Sequence, residues 1–421
     1  MKLLSLLIFL LTAQYQNFAQ GVILLTGKII DDKTEAPLIY AVISIKGKGI
    51  GTISNTDGEF EFHIPEGYSN DTLQVSMLGY AASLNVISAI ESKKPIVFRL
   101  MESPIRLKEV VVVGNSLSAN EIFKKAFENL EKTFPQDNYL LKGFYRQVNT
   151  ENERNVFLVE ASINIFDKKT QLNNNFKLQE KVCLNQVRFS DSFFKNPDPN
   201  YFERSNTITW LLLFNYTKYR NKYVMERTNF VLDSTISFNQ RSFYVISSTV
   251  TPKALTNKFT LYIDTEDFSF FKIKNETVAN KGYFIQNFDV FTNPEKTKVL
   301  KLIASSQVYQ FEKFKGAMYL KHARSFSKGE IINTKTSATE WSVTDESLLV
   351  INEVIAGKMA IPASELMDNG RNIKFQAKNY DAKFWSSFNL VNLIPLMQRQ
   401  QSDLEQSVSL EEQFKNQVGK K

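Results

Sequence analysis

Apolar residues recur at every second position through much of the chain. Phe60, Phe62 and Ile64 fall on one side of a run whose other side carries Glu59, Glu61 and His63. Leu73, Val75 and Met77 repeat the alternation, as do Ile96, Phe98 and Leu100. A period of two puts alternate side chains on opposite faces of a strand, so each run predicts a half-buried β-strand. Turn-forming clusters separate the runs: Asp31-Asp32-Lys33, Asn55-Thr56-Asp57-Gly58, read as a hairpin turn, and Pro65-Glu66-Gly67. Short strands at near-regular spacing over residues 22–101 predict a small antiparallel β-sandwich.

The period changes near residue 118. Ser118 and Glu121 have the spacing of a capping box, and Ile122, Ala126, Phe127 and Leu130 then share one helical face, with Pro135 as the stop. Strand patterns return with Phe157, Val159, Ala161, Ile163 and Ile165. Phe259, Leu261 and Ile263 lead into an Asp264-Thr265-Glu266-Asp267 turn and back through Phe271 and Ile273. Further strands are expected at 283–291, 299–311, 317–326 and 330–343. Residues 204–222, with Trp210 to Phe214, read as helical and placed to plug an open sheet end. Ser409-Leu410-Glu411-Glu412 is a second capping box before a terminal helix. The fold class is therefore mainly β, a small N-terminal sandwich followed by a larger curved antiparallel sheet with a few helices. The expected division is a signal peptide (1–20), the sandwich (22–101), a linker or strand (102–117), the β-rich domain (118–375) and a C-terminal extension (376–421).

Composition sharpens this. Thirty-four Phe and 16 Tyr stand against 2 His, and aromatics favour strands. The formal charge of +7 is spread along the chain without a dense Lys/Arg block, which argues against nucleic acid as a partner. Lys2, the apolar run Leu3 to Ala13 and Phe18-Ala19-Gln20 read as an export signal, too short to span a bilayer. No later run is long enough for a membrane helix. Cys183 is the only cysteine, so no internal disulfide is possible, and none follows the signal as lipoprotein attachment requires. An exported protein in the periplasm or at the outer membrane, but not a lipoprotein, is the expectation.

An ordered set of short motifs resembles the carboxypeptidase regulatory-like domain family: Thr26-Gly27-Lys28-Ile29-Ile30-Asp31, Ala36-Pro37-Leu38, Ala41-Val42-Ile43-Ser44-Ile45, Gly51-Thr52, Asn55-Thr56-Asp57-Gly58-Glu59-Phe60 and Leu78-Gly79-Tyr80. The resemblance implies a transthyretin-like seven-stranded sandwich that accompanies another module and has no catalytic residues. Leu107 to Gly114, a valine-rich run, resembles the segment that precedes the plug of TonB-dependent receptors, but no plug motif follows. It is expected to pair within this chain, capture by a partner being the alternative. The hairpin Leu261-Tyr262-Ile263-Asp264 to Phe270-Phe271-Lys272-Ile273 resembles the half-barrels of periplasmic lipoprotein carriers, which implies a sheet wrapped around helices and an apolar ligand. The tail, with Tyr380-Asp381, Phe384-Trp385 and Glu412-Gln413-Phe414, resembles those of uncharacterised bacterial proteins carrying the same sandwich.

No catalytic set emerges. His63 and His322 lie in strand patterns of different domains, and Cys183 has no histidine near it in sequence. Residues 53–64 have calcium-loop spacing at Asn55, Asp57 and Gly58, but Ile53 and Ile64 occupy the first and last ligand positions. Gly47-Lys48-Gly49-Ile50-Gly51 lacks the glycine spacing and the helix of a dinucleotide loop. Ser192-x-x-Lys195, Tyr219-x-Asn221 and Lys335-Thr336-Ser337 echo serine penicillin-binding enzymes, yet Pro197 and Pro199 forbid the helix that serine must open. Asp264, Glu266 and Asp267 read as a solvated turn rather than a cation site. No catalytic, cofactor-binding or metal residue is expected and no cofactor. The expectation is a non-enzymatic binding or scaffold protein with an envelope protein or an apolar ligand as partner. The alternatives are a periplasmic carrier of a lipid or other apolar ligand in a half-barrel cavity and a carboxylate-dependent enzyme.

Overall fold

The computed structural model describes residues 21–92, 94–103, 117–168, 178–191, 207–213, 228–251, 254–280, 298–357, 361–377, 380–389, 391, 402–405 and 408–417. Residues 1–20, read above as an export signal, the valine-rich run at 107–114, the strand expected at 283–291, Ser192 to Lys195 and Tyr219 to Asn221 lie outside these residues.

Seven strands form the N-terminal part: β1 (Val22–Asp31), β2 (Val42–Ile45), β3 (Gly51–Ile53), β4 (Glu59–Pro65), β5 (Thr72–Ser76), β6 (Ser83–Val86) and β7 (Ile96–Leu100). They make two sheets, β4-β1-β7 and β3-β2-β5-β6. The alternating residues meet between them: Leu25, Ile29, Ile43, Ile45, Phe60, Phe62, Leu73 and Val75 share one buried cluster. All pairings are antiparallel except β1 with β7, which is parallel. At that pair Gly27 permits close approach, since a Cβ there would stand 2.1 Å from the Ile96 carbonyl oxygen. The 55–58 turn is tight, with Asn55 Oδ1 accepting from the Asp57 and Glu59 amides. It is not the hairpin turn expected, because β3 and β4 belong to different sheets and the turn carries the chain across the sandwich. The Gly47–Gly51 segment links the antiparallel pair β2–β3.

Ten strands follow: β8 (Tyr139–Glu151), β9 (Arg154–Asp167), β10 (Lys181–Asp191), β11 (Val231–Phe238), β12 (Arg241–Val250), β13 (Leu255–Asp264), β14 (Phe270–Ala279), β15 (Lys298–Phe314), β16 (Ala317–Asn333) and β17 (Thr339–Ala356). They form one antiparallel sheet ordered β10-β9-β8-β17-β16-β15-β14-β13-β12-β11, open at β10 and β11 rather than closed into a barrel. The strands expected at 317–326 and 330–343 are corrected: β16 runs unbroken to Asn333, and Lys335-Thr336-Ser337 lies in the turn to β17.

Helices α1 (Ala119–Glu128), α2 (Leu130–Thr133) and α3 (Thr207–Leu213) cover one face, here the inner face. Ser118 and Glu121 form the reciprocal capping box of α1, and the expected single helix breaks at Asn129. Ile122, Ala126 and Phe127 of α1 and Ile208, Leu211 and Leu212 of α3 share a core with Tyr145, Ala161, Ile273, Tyr309, Ala323 and Leu349 of the sheet. No helix among the described residues is long and apolar enough to cross a membrane.

The outer face carries the sandwich and the chain's end. Val42 and Ile53 of the sandwich share a cluster with Phe144, Leu348, Val350, Trp385 and Val391. The Val354 amide donates to the Gly49 carbonyl at 2.7 Å. Trp385 lies on α4 (Ala382–Ser387), and Phe414 on α5 (Leu410–Lys415), which Ser409 caps.

Candidate functional site

Antiparallel register aligns the inner-face residues of neighbouring strands in rows that cross the sheet. One row is Leu261, Ile273, Tyr309, Ala323, Leu349 and Tyr145, from β13 through β14, β15, β16 and β17 to β8. All six are buried beneath the helices. Two residues along each strand, on the same face, the next row reads Phe259, Asn275, Gln307, Ser325, Ser347 and Gln147. The row after it reads Asn257, Thr277, Ser305, Ser327, Asp345 and Asn149. The inner face thus passes from close-packed apolar side chains to a belt of amides and hydroxyls with one carboxylate and, at its β13 end, Phe259. At about 4.8 Å per strand the belt spans about 24 Å. Beyond it apolar residues return, with Ile331, Trp341, Val343 and Leu300 in a second cluster.

At each end of the belt, side chains bond to one another. At the β8 end, Gln147 Nε2 and Asn149 Nδ2 donate to Asp345 Oδ2 at 2.8 and 2.6 Å. Tyr145 donates to Gln147 Oε1 and Ser347 Oγ, both at 3.3 Å, and Thr207 at the start of α3 donates to Gln147 Oε1 at 3.0 Å. Burial pushes the Asp345 carboxyl above its ordinary value, against the opposing pull of these hydrogen bonds. At the β13 end Thr277 donates to Asn257 Oδ1 at 2.6 Å. In the middle, Ser305, Gln307, Ser325 and Ser327 are partly exposed. The hydrogen bonds among the described residues leave those four side chains uncommitted.

Cations lie on the other side of the sheet. Lys258, Lys274, Lys301 and Lys328 alternate with belt residues or continue that alternation, so they face outward, where Lys274 pairs with Glu276 and Lys301 with Glu330. Further along that face Glu160 is wholly buried between two guanidiniums, accepting from Arg146 Nε at 2.7 Å and Arg188 Nε at 2.6 Å. Burial raises this carboxyl, but the two arginines outweigh burial and hold it below its ordinary value. Arg188 stacks over Trp385 and Phe414, and Arg146 donates to the Val391 carbonyl at 2.6 Å, so the C-terminal segments seal the triad.

The residues weighed from sequence are scattered. His63 sits on β4 of the sandwich, 3.5 Å from Glu61, and His322 on β16 of the large sheet. Burial, then Lys272, Lys321 and Arg324, push His322 down to about 3. Cys183 is buried on β10 with Leu140, Phe166 and Ile361. Asp264, Glu266 and Asp267 form a turn in which Asp264 Oδ1 accepts from both following acidic residues' amides. Arg241 and Lys313 already neutralise its carboxylates. Among the described residues no three His, Cys, Asp or Glu side chains are grouped to hold a metal ion. A cleft of about 400 Å³ between the sandwich and the β11–β12 turn is lined by Lys46, Gln74, Tyr80, Leu84, Phe238 and Asn239, among others. The belt was not recognised from sequence, because its members lie on six strands and become neighbours only through register.

Residues 25–112, about a fifth of the chain, match the family model of the CarboxypepD_reg-like domain. This is the family whose motifs the sandwich carries. No curated protein matches the chain. Among solved structures it is similar to a LolA superfamily protein from Nitrosomonas europaea, at 14% identity and a TM-score of 0.23, over 60% of this chain and 99% of that one. It is also similar to a DUF1329 family protein from Desulfovibrio piger, at 8% identity and a TM-score of 0.27, over 60% of this chain and 100% of that one.

Proposed function

We propose that this chain is an exported, non-enzymatic binding protein of the cell envelope, whose ligand is an amphiphile held against the inner face of the ten-stranded sheet. One observation supports this most: four uncommitted, partly exposed hydrogen-bonding side chains lie between two apolar patches on that face. Leaving a polar group without a partner inside a packed core costs about 1–3 kcal/mol, so a sheet face serving only as core has reason to be apolar throughout. A ligand with an apolar body and a polar end meets both parts of the surface. The sandwich, in this reading, is an accessory over residues 22–101, followed by a linker at 102–117. Residues 118–375 hold the ligand, and 376–421 brace the outer face.

Export rests on Lys2 and the apolar run Leu3 to Ala13. The non-enzymatic reading rests on the surroundings of Asp345: its hydrogen-bond partners are amides and a hydroxyl, not a second carboxylate or an imidazole.

Native mass spectrometry of protein gently purified from its host envelope tests the reading. The expected spectrum shows a bound small molecule released by organic solvent. A chain that arrives empty and takes up nothing from extracted envelope lipid overturns it. Fractionation tests export separately: protein confined to the cytoplasm with Met1 retained overturns that part.

A further inference from the structure

From the belt's chemistry we infer that the polar end of the ligand is uncharged and rich in hydroxyl groups, such as a sugar or polyol head, and not a phosphate or carboxylate. The inference rests on the binding role proposed above and specifies its ligand. Four features lead to it. The uncommitted groups Ser305, Ser325 and Ser327 each offer one donor and two acceptor sites, and Gln307 offers both kinds. Such groups match hydroxyls, which also donate and accept. The belt and the apolar row beside it contain no lysine, arginine or histidine among the described residues, and the neighbouring lysines face away. Burying an anion there would leave it without a countercharge, at high cost. The one ionisable member is an acid, Asp345, which repels an anion when ionised. Its Oδ2 accepts from Gln147 and Asn149 and its Oδ1 from the Ser347 hydroxyl at 3.5 Å, so both carboxylate oxygens already have donors within the belt. The belt also extends across six strands, which suits several hydroxyls in a line better than a single compact group.

Dodecyl maltoside and dodecyl phosphate, both below their micelle concentrations, test this by titration calorimetry on the full chain. They share a tail and differ in head. The maltoside is expected to bind at least about tenfold tighter, a difference that two or three hydrogen bonds account for. Ser305→Val with Ser327→Val is expected to abolish that preference while leaving the phosphate's affinity unchanged. Gln307→Leu supplies an independent reading should the double variant not fold, and Ser306→Val, on the outer face of the same strand, is expected to change nothing. Equal affinities, a preference for the phosphate, or a preference that survives both belt variants overturns the inference and leaves the amphiphile reading standing. If neither detergent binds, both readings are overturned.

Discussion

Glu160 and His322 are buried ionisable groups that bear on stability rather than chemistry. Removing the carboxylate from between Arg146 and Arg188 leaves two largely buried guanidiniums without a countercharge. Glu160→Gln is therefore expected to cost about 3–5 kcal/mol by urea denaturation, the usual loss when one member of a buried ionic group is deleted. His322 remains neutral in the folded chain down to about pH 3, whereas an unfolded histidine protonates near its ordinary value of 6.5. Between these values the unfolded chain binds a proton that the folded chain excludes. The stability this group contributes is complete above pH 6.5 and is lost as the pH falls through that window. His322→Leu is expected to flatten that fall, read by comparing denaturation midpoints at about pH 7 and about pH 5. Asp345 has the opposite sign. Its folded value is raised, so stability declines as the pH rises past the unfolded carboxylate value, and Asp345→Asn is expected to remove the decline. Residue types were legible in the sequence, but these environments were not. Nothing in the spacing of Arg146, Glu160 and Arg188 shows that Trp385 and Phe414 close over them.

At the scale of elements, local chemistry was the most readable. Ser118 and Glu121 form their capping box, Asp264 organises its turn, and the alternation from Phe157 to Ile165 lies within a single strand. Errors arose where tertiary pairing decides. The 55–58 turn has hairpin chemistry yet joins two sheets, because β4 pairs with β1 and not with β3. β16 continues past residue 326 because β15 and β17 flank it along its length, and pairing on both sides outweighs the conformational cost of Gly329. Gly143 marks another close approach. A Cβ there would stand 2.5 Å from the Val350 carbonyl oxygen on the neighbouring strand, so β8 and β17 must separate to admit it. Gly143→Ala is expected to destabilise by about 1–3 kcal/mol, as overpacked sites do, with a lowered thermal midpoint as the readout.

For the whole molecule, the two-part β architecture was legible from periodicity and turn spacing, and the sandwich from its motifs. How the parts meet was not. Phe144, Leu348 and Val350 of the large sheet pack against Val42 and Ile53 of the sandwich and Trp385 of the tail, three regions distant in sequence. This shared cluster predicts that the tail is structural. Truncation after residue 377 is expected to expose the Arg146–Glu160–Arg188 group and lower the thermal midpoint by several degrees, measured by calorimetry. The candidate site was the least legible feature, since a belt of serines and amides is unremarkable in each strand and acquires meaning only across the register.

Photo-crosslinking tests the central claim most directly. An amphiphile with a diazirine in its tail would be bound to the full chain, irradiated, and the adducts mapped by peptide mass spectrometry. Adducts concentrated on the inner-face apolar residues flanking the belt, such as Phe259, Leu300, Trp341 and Val343, are the predicted result. Adducts confined to the sandwich or to the outer face, or none above background, would contradict it.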